Sequence, residues 1–464
     1  MATLNTAKWI ASLTFDELPE RVVEAAVRSF YTWVTCAVEG SSHPTTLKAY
    51  KALSPFFGKG TSSVLGFNHR IDAQNAALIN GIASHVHDFE DAHLIMTLHP
   101  TGCVASALLS FAETLQRPVT GKEFITALVA GIEVECKIAR AVFPEHYYVG
   151  LHITSTIGSV GAAAAIAKLL ALPAEQTAHA IGIATTQVTG LRETFSSDTK
   201  SFHVGRVAQD GLLAAVLPAE GFTSSLRWLE TLGSYIKSNG EEHQLDYYVR
   251  CLVSGSGKWE MEKNPFKPFP YYIDIHPVIR GAVWLHHELE RRGISTDEVA
   301  SVDIKVHAYA LRLTDVRTPK DGLEAEFSLH HGAAVGLLFG SATVAEYQDD
   351  VVNSAAVVAL RDRIEADFDE AIERDECHLV VKFLRGEDPI EKHVDRALGS
   401  VEVPMSDVQL TEKFITQAGL QDGSEKALMA SKWCWRVVES ADMRELGYYL
   451  RNIHDSTLRY QCYT

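Results

Sequence analysis

"NPFKPFP", residues Asn264–Pro270, places three prolines in six positions. Proline fixes φ and has no backbone N–H, so a helix cannot run through this stretch. The two sides of it differ in pattern. Before it, helix follows helix: "FDELPERVVEAAVRSFYTWVTCAVEG", "AQNAALINGIASHVHDF", "GKEFITALVAGIEVECKIARAV", "IGSVGAAAAIAKLLAL" and "RVAQDGLLAAVLPAEGF" repeat apolar residues at helical spacing. In the first, Asp16 and Glu17 are expected to complement the helix N-terminus. In the fourth, Gly158, Gly161 and Ala162–Ala165 would let helix axes approach closely, as a buried central helix requires. After the prolines, "VASVDIKVHAYALRLT", "HLVVKFLRG" and "GSVEVP" carry the alternation of strands. Between them, "EAEFSLHHGAAVGLLFG" and "VVNSAAVVALRDRIEADFDEAI" are expected to be helices. Beyond Pro404 the pattern returns to helix. The expected fold class is mainly α: a large all-helical domain, residues 1–265 and 405–464, interrupted by a smaller α+β domain, residues 266–404.

Composition narrows the function. The 464 residues can bury several cores, and the net charge of −17 argues against a nucleic-acid or anionic-membrane partner. An anionic substrate would need local, deliberate positive charge. No apolar run approaches the ~18 residues of a spanning helix, and the N-terminal stretch has acids early and no signal-peptide core. Seven scattered cysteines without a CxxC pattern read as reduced, mostly buried thiols, so a cytoplasmic protein is expected.

Four stretches carry chemistry-bearing residues. "SHVHDFEDAHLIMTLHP", Ser84–Pro100, gathers four histidines and three acids. On a helix, His87 and Asp91, or Asp88 and Asp91, would share a face. Metal ligands, an acid–base site and helix caps are all readings of it. Without a second cluster of ligand spacing, acid–base work without metal is the leading one. "EHYYVGLHITSTIG" offers Tyr147, Tyr148 and His152 before a helix start whose free N–H groups favour a carboxylate. "TGLRETFSSDTKSFHVGRVAQDG" concentrates Arg192, Lys200, His203 and Arg206 in fifteen residues, a candidate carboxylate-binding loop. "NPFKPFPYYIDIHPVIR" sets Lys267 among prolines, followed by His276 and Arg280; the alternative there is a linker with a solvated lysine.

These segments, in this order, resemble the MmgE/PrpD family. "DFEDAH…HPTG", "GLHITSTIGSVGAAA", "DTKSFHVGRVAQDG", "KPFP…HP" and "GLEAEFSLHHGAAVGLL" match its motifs along essentially the whole chain. The resemblance implies a helical domain, an α+β lid domain, a homodimer, and chemistry on small polycarboxylates without metal or organic cofactor. By position, the family's active-site aspartate corresponds to Asp88, its HP histidine to His99, its loop histidine to His152, its cationic-loop lysine to Lys200 and its KP lysine to Lys267. Tyr147 stands where the epimerase branch carries a tyrosine that works with the KP lysine. Arg192, His203, His276 and Arg280 are expected to bind substrate. Ala92 replaces the threonine of the decarboxylases' D-F-D-D-T motif, and Tyr309 is the nearest counterpart of their lid tyrosine. Both departures favour dehydration of a citrate-type substrate over decarboxylation; epimerisation is the further alternative, and a catalytically silent ligand-binding dimer the last.

Overall fold

The computed structural model describes residues 2–93, 95–187, 190–235, 249, 252, 259–417, 425–450 and 453; the side chains of 145, 147, 232–235, 417, 425 and 426 lie outside that description. The fold is mainly α with a small mixed sheet and, in the described residues, a two-stranded antiparallel ribbon of Ser62–Ser63 and Arg70–Ile71. Two compact units divide the chain: residues 1–86, 90–264 and 407–464 form the first, and 87–89 with 265–406 the second. The first therefore brackets the second in sequence, and three residues of the Ser84–Pro100 stretch cluster with the second.

In the first unit the helices that position the site are, in chain order, α1 (Glu20–Glu39), α2 (Ala73–His85), α3 (Pro100–Ala112), α4 (Gly121–Val142), α5 (Ile153–Leu169) and α6 (Asp198–Ala219). Their starts follow local chemistry. Asp72 accepts a bond from Asn75 N at 3.0 Å to cap α2, and Thr120 and Glu123 form a reciprocal capping box at α4. α5 is buried along nearly its whole length, which its alanines and glycines permit. A Cβ on Gly131 of α4 would come within 2.6 Å of Gly161 O on α5, and one on Gly81 of α2 within 2.5 Å of Gly205 Cα on α6. Only glycine allows backbones to meet this closely. Asp16 and Glu17 do not cap α1: they lie in a separate 3-10 turn, Phe15–Glu17, and Pro19 precedes the helix.

The second unit has a four-stranded sheet of β1 (Val299–Val306), β2 (Ile364–Phe368), β3 (Cys377–Phe383) and β4 (Ile390–Val394), in the order β2-β1-β3-β4. β1 pairs parallel with β2 and antiparallel with β3, and β3 pairs antiparallel with β4. The parallel pair is joined by a long, largely helical crossover, as parallel neighbours require. One sheet face buries Val302, Ile304, Val306, Leu379 and Val381 in a core shared with α7 (His276–Arg292) and α8 (Leu329–Phe339).

Several local expectations fail here. "IEADF" is not the end of a helix but β2: Ile364 and Ala366 turn inward, Glu365 and Asp367 outward, and β1 supplies the hydrogen bonds. "AYALRLT" is a helix, Ala308–Thr314, rather than a continuation of β1. "GSVEVP" is a turn in which Gly399, at φ 87, bonds Val403 O through its N–H at 2.8 Å; the strand lies earlier, at β4. The five described cysteines are buried and form no disulfide; Cys251 and Cys462 lie outside the described residues. Among the described residues no helix is long and apolar enough to cross a membrane.

Candidate active site

The Ser84–Pro100 stretch is a helix end followed by a return, not one helix. α2 stops at His85, and Asp88 takes a left-handed conformation, φ 49, that a right-handed helix cannot absorb. No helical face therefore joins His87, Asp88 and Asp91. The chain turns back through a bridge in which His93 N bonds Leu98 O at 2.8 Å, and His99 arrives at the start of α3 with Pro100 in the first helical position. The return brings His99 beside His85, ring centroids 4.9 Å apart. Glu90 lies against both: its Oε1 is 3.3 Å from His99 Nδ1 and in direct contact with His85 Nδ1. Burial alone would raise the Glu90 carboxyl, but the two imidazoles hold it well below the ordinary range. Burial pushes His85 down to about 4, assisted by the charge of Lys200. The trio is thus a carboxylate serving two imidazoles, with His85 neutral.

His152 holds the N-cap position of α5 without capping it; its N–H bonds Gly190 O at 3.1 Å. Its ring packs 6.1 Å from His85 and edge-on to Phe195 at 5.0 Å. Its Nδ1 lies 3.1 Å from His203 Nδ1. Two neutral imidazoles can share such a contact only if one Nδ1 donates and the other accepts, so the two rings are opposite tautomers. One then presents a lone pair at Nε2 and the other an Nε2–H. Burial, reinforced by Lys200, lowers His203 to about 4; burial, with the charges of His85 and Lys200, sets His152 well below its ordinary value.

Lys200, His203 and Arg206 do not form a loop. They lie in the first turns of α6, which begins at Asp198, and the i, i+3 spacing puts Lys200 and His203 on one face. Lys200 is buried, with Nζ 5.8 Å from the Phe195 ring centre. Arg206 instead pairs with Asp210 at 3.0 Å. Arg192 sits half-buried in a 3-10 turn whose backbone N–H bonds Gly150 O at 2.9 Å, tying its segment to the loop before His152. The first unit therefore gathers His99, His152, Lys200 and His203 of the expected residues, and adds His85 and Glu90. Those two stand in the quoted stretch, but their partnership depends on the chain's return, which no spacing rule reveals. Asp91 has a structural setting: its Oδ2 accepts bonds from Thr101 at 2.6 Å and Ser29 at 3.2 Å, and burial raises its carboxyl to about 6.

Asp88 and Lys267 belong to the second unit and are partners there. Lys267 Nζ lies 3.1 Å from Asp88 Oδ2 and donates to Asp88 O at 2.5 Å, with the lysine side chain only 1% exposed. The solvated-linker alternative for Lys267 is thereby excluded. His276 Nε2 is 3.3 Å from Tyr271 O, and Arg280 donates to Arg396 O, so both side chains have partners inside the unit. Tyr309 lies under the Arg374 guanidinium, 4.3 Å from its ring centre, and Arg374 pairs with Asp274 at 3.0 Å. Tyr147 falls in the short helix Glu145–Tyr148, and its side chain lies outside the described residues.

The chain is 25% identical to a cis-aconitate decarboxylase-like protein of Aspergillus oryzae, over 96% of each chain. It is 25% identical to the cis-aconitate decarboxylase of Homo sapiens, over 90% of this chain and 87% of that one. It is 24% identical to the 2-methylcitrate dehydratase of Escherichia coli, over 73% and 72%. Residues 5–245 match the MmgE/PrpD N-terminal domain and residues 269–436 the MmgE/PrpD C-terminal domain, and the chain belongs to the MmgE/PrpD family.

Proposed function

We propose that this protein is a cofactor-independent lyase that removes water from a small citrate-type di- or tricarboxylate by acid–base chemistry. The observation that supports this reading is the His152–His203 contact with its opposed tautomers. Dehydration starts with a C–H bond beside a carboxylate. A neutral imidazole takes that proton, the electron pair forms the C=C bond, and the C–O bond breaks. The departing hydroxide needs a proton, and the ring with Nε2–H supplies it while its Nδ1 receives the Nδ1 proton of the ring that acted as base, across their 3.1 Å contact, so that neither ring is left as an anion. Burial keeps these imidazoles unprotonated near neutrality, as a proton-abstracting base must be. Lys200 faces the negative charge that develops on the substrate, a preorganised cation in a low-dielectric setting. Asp88 and Lys267 are proposed to complete the site, with the second unit acting as a lid, and Arg192, His276 and Arg280 to orient carboxylates. By the family resemblance the enzyme works as a homodimer, and its scattered cysteines without a pairing pattern support a place in the cytoplasm.

Decarboxylation is the second reading, favoured by the coverage of the relatives named cis-aconitate decarboxylases, up to 96% of this chain against 73% for the Escherichia coli dehydratase. There a C–C bond breaks, carbon dioxide leaves, and the acid returns a proton to carbon. Proton NMR in deuterated water with a panel of citrates and aconitates separates the two. Appearance of the alkene from a citrate supports dehydration. Carbon dioxide release from an aconitate with deuterium gained at carbon replaces it with decarboxylation, and exchange without loss of mass replaces it with epimerisation.

A further inference from the structure

α7 carries the sequence H-H-E-L-E at 286–290. Glu290 lies one turn below two rings: its Oε1 is 3.5 Å from His286 Nε2 and its Oε2 is 3.4 Å from His287 Nδ1. Nitrogen and oxygen ligands of a four-coordinate zinc, bonded at 2.0–2.2 Å, stand about 3.3 Å apart. The three donor atoms lie within 4.8 Å of one another, so small rotamer changes bring all of them onto one ion.

His286 is prepared for such a role. Its Nδ1 is 2.9 Å from Leu337 O in α8. A carbonyl only accepts, so Nδ1 carries a proton, and in the neutral ring it is Nε2 that presents a lone pair toward a carboxylate oxygen. Two acceptors then face each other, an arrangement that a cation between them relieves. A carbonyl holding the remote ring nitrogen is also how proteins fix the tautomer of metal-bound histidines. The ring is walled as well: a Cβ on Gly340, which ends α8 in a left-handed conformation at φ 65, would come 2.6 Å from His286 Cδ2. The neighbouring acid does not compete, because Glu288 pairs with Arg291 and Arg292. His287 and Glu290 are about two-thirds exposed, which leaves the remaining coordination positions to water.

We propose that His286, His287 and Glu290 form a surface site for a divalent transition ion of the imidazole-favouring class, zinc above all. The ligands come from α7 and the tautomer-fixing carbonyl from α8, so a bound ion fastens the two helices that cover the sheet. The site shares no residue with the acid–base cluster.

Titration calorimetry with zinc on untagged, chelator-stripped full-length protein tests this. One saturable site is expected, weakened about tenfold or more in His287→Ala and Glu290→Gln and abolished in the His286→Ala/His287→Ala double variant. Zinc should raise the melting temperature of the parent but not of the double variant. His287 and Glu290 are exposed, so their single variants should melt like the parent without zinc. Absence of binding up to millimolar zinc, or an unchanged isotherm in the double variant, overturns the proposal.

Discussion

One oxygen of Glu90 serves two rings: Oε1 is 3.3 Å from His99 Nδ1 and touches His85 Nδ1 as well. A carboxylate oxygen only accepts, so the His85 ring, neutral in this buried setting, turns an Nδ1–H toward it and keeps its Nε2 lone pair. Glu90→Gln preserves shape but removes the negative charge that faces both rings. We expect kcat to fall about 10²- to 10⁴-fold with KM changed far less. Unchanged kcat in a folded variant would leave Glu90 a structural partner of the two rings.

Lys267 and Asp88 form a buried pair, and removing one member strands the charge of the other. Lys267→Met should lower stability by about 3–5 kcal/mol, measured by urea unfolding. Adding Asp88→Asn should recover much of that loss but no activity. Recovery of turnover along with stability would show that the pair only holds the fold.

His203 is neutral in the fold, with its pKa lowered by burial to about 4 from 6.5. Between those two values the unfolded chain binds the extra proton and the folded chain does not, so this group's contribution is present above pH 6.5 and is lost as pH falls toward 4. His203→Gln abolishes that linkage. Relative to the parent, the variant's melting temperature should therefore rise as the buffer is taken from pH 7 to 4.5. A constant difference across that range contradicts a neutral His203.

Lys200→Ala should weaken substrate binding. A charge-assisted hydrogen bond is worth roughly 1.5–3 kcal/mol, or about 10- to 150-fold in affinity. Steady-state kinetics should show this as a raised KM or as lost turnover. Normal kinetics in Lys200→Ala would remove Lys200 from substrate binding.

His152→Gln should lower kcat about 10²- to 10⁴-fold while binding of a product-like tricarboxylate persists. The acidic limb of the parent's kcat/KM profile should lie below the ordinary histidine value, because burial holds His152 well below it. A limb at or above 6.5 would assign the base to another group.

Helical spacing made the first unit legible, because α4 and α5 bury apolar or small residues at the positions the pattern marks. Prolines 265, 268 and 270 located the change of architecture for an equally local reason. β2 was not legible: Ile364–Phe368 continues a helical pattern in sequence, and only its pairing with β1 makes it a strand. The site divides along the same line. His99, His152 and His203 are visible as polar residues at helix starts, where local sequence speaks. The Glu90–His85 contact depends on the left-handed turn at Asp88 and the return to His99, and a non-glycine residue gives no signal of positive φ.

His87–Phe89 cluster with residues 265–406 although they lie far away in sequence. Cut out as a continuous piece, 265–406 would lack Asp88 and keep Lys267, and with it a buried ammonium deprived of its counter-charge. Tyr271 N would also lose its 2.8 Å bond to His87 O. The α+β unit is therefore not a portable module. Shuffling it between chains as a single exon-like block would fail unless the acceptor already carried an aspartate-bearing loop of its own to receive the lysine.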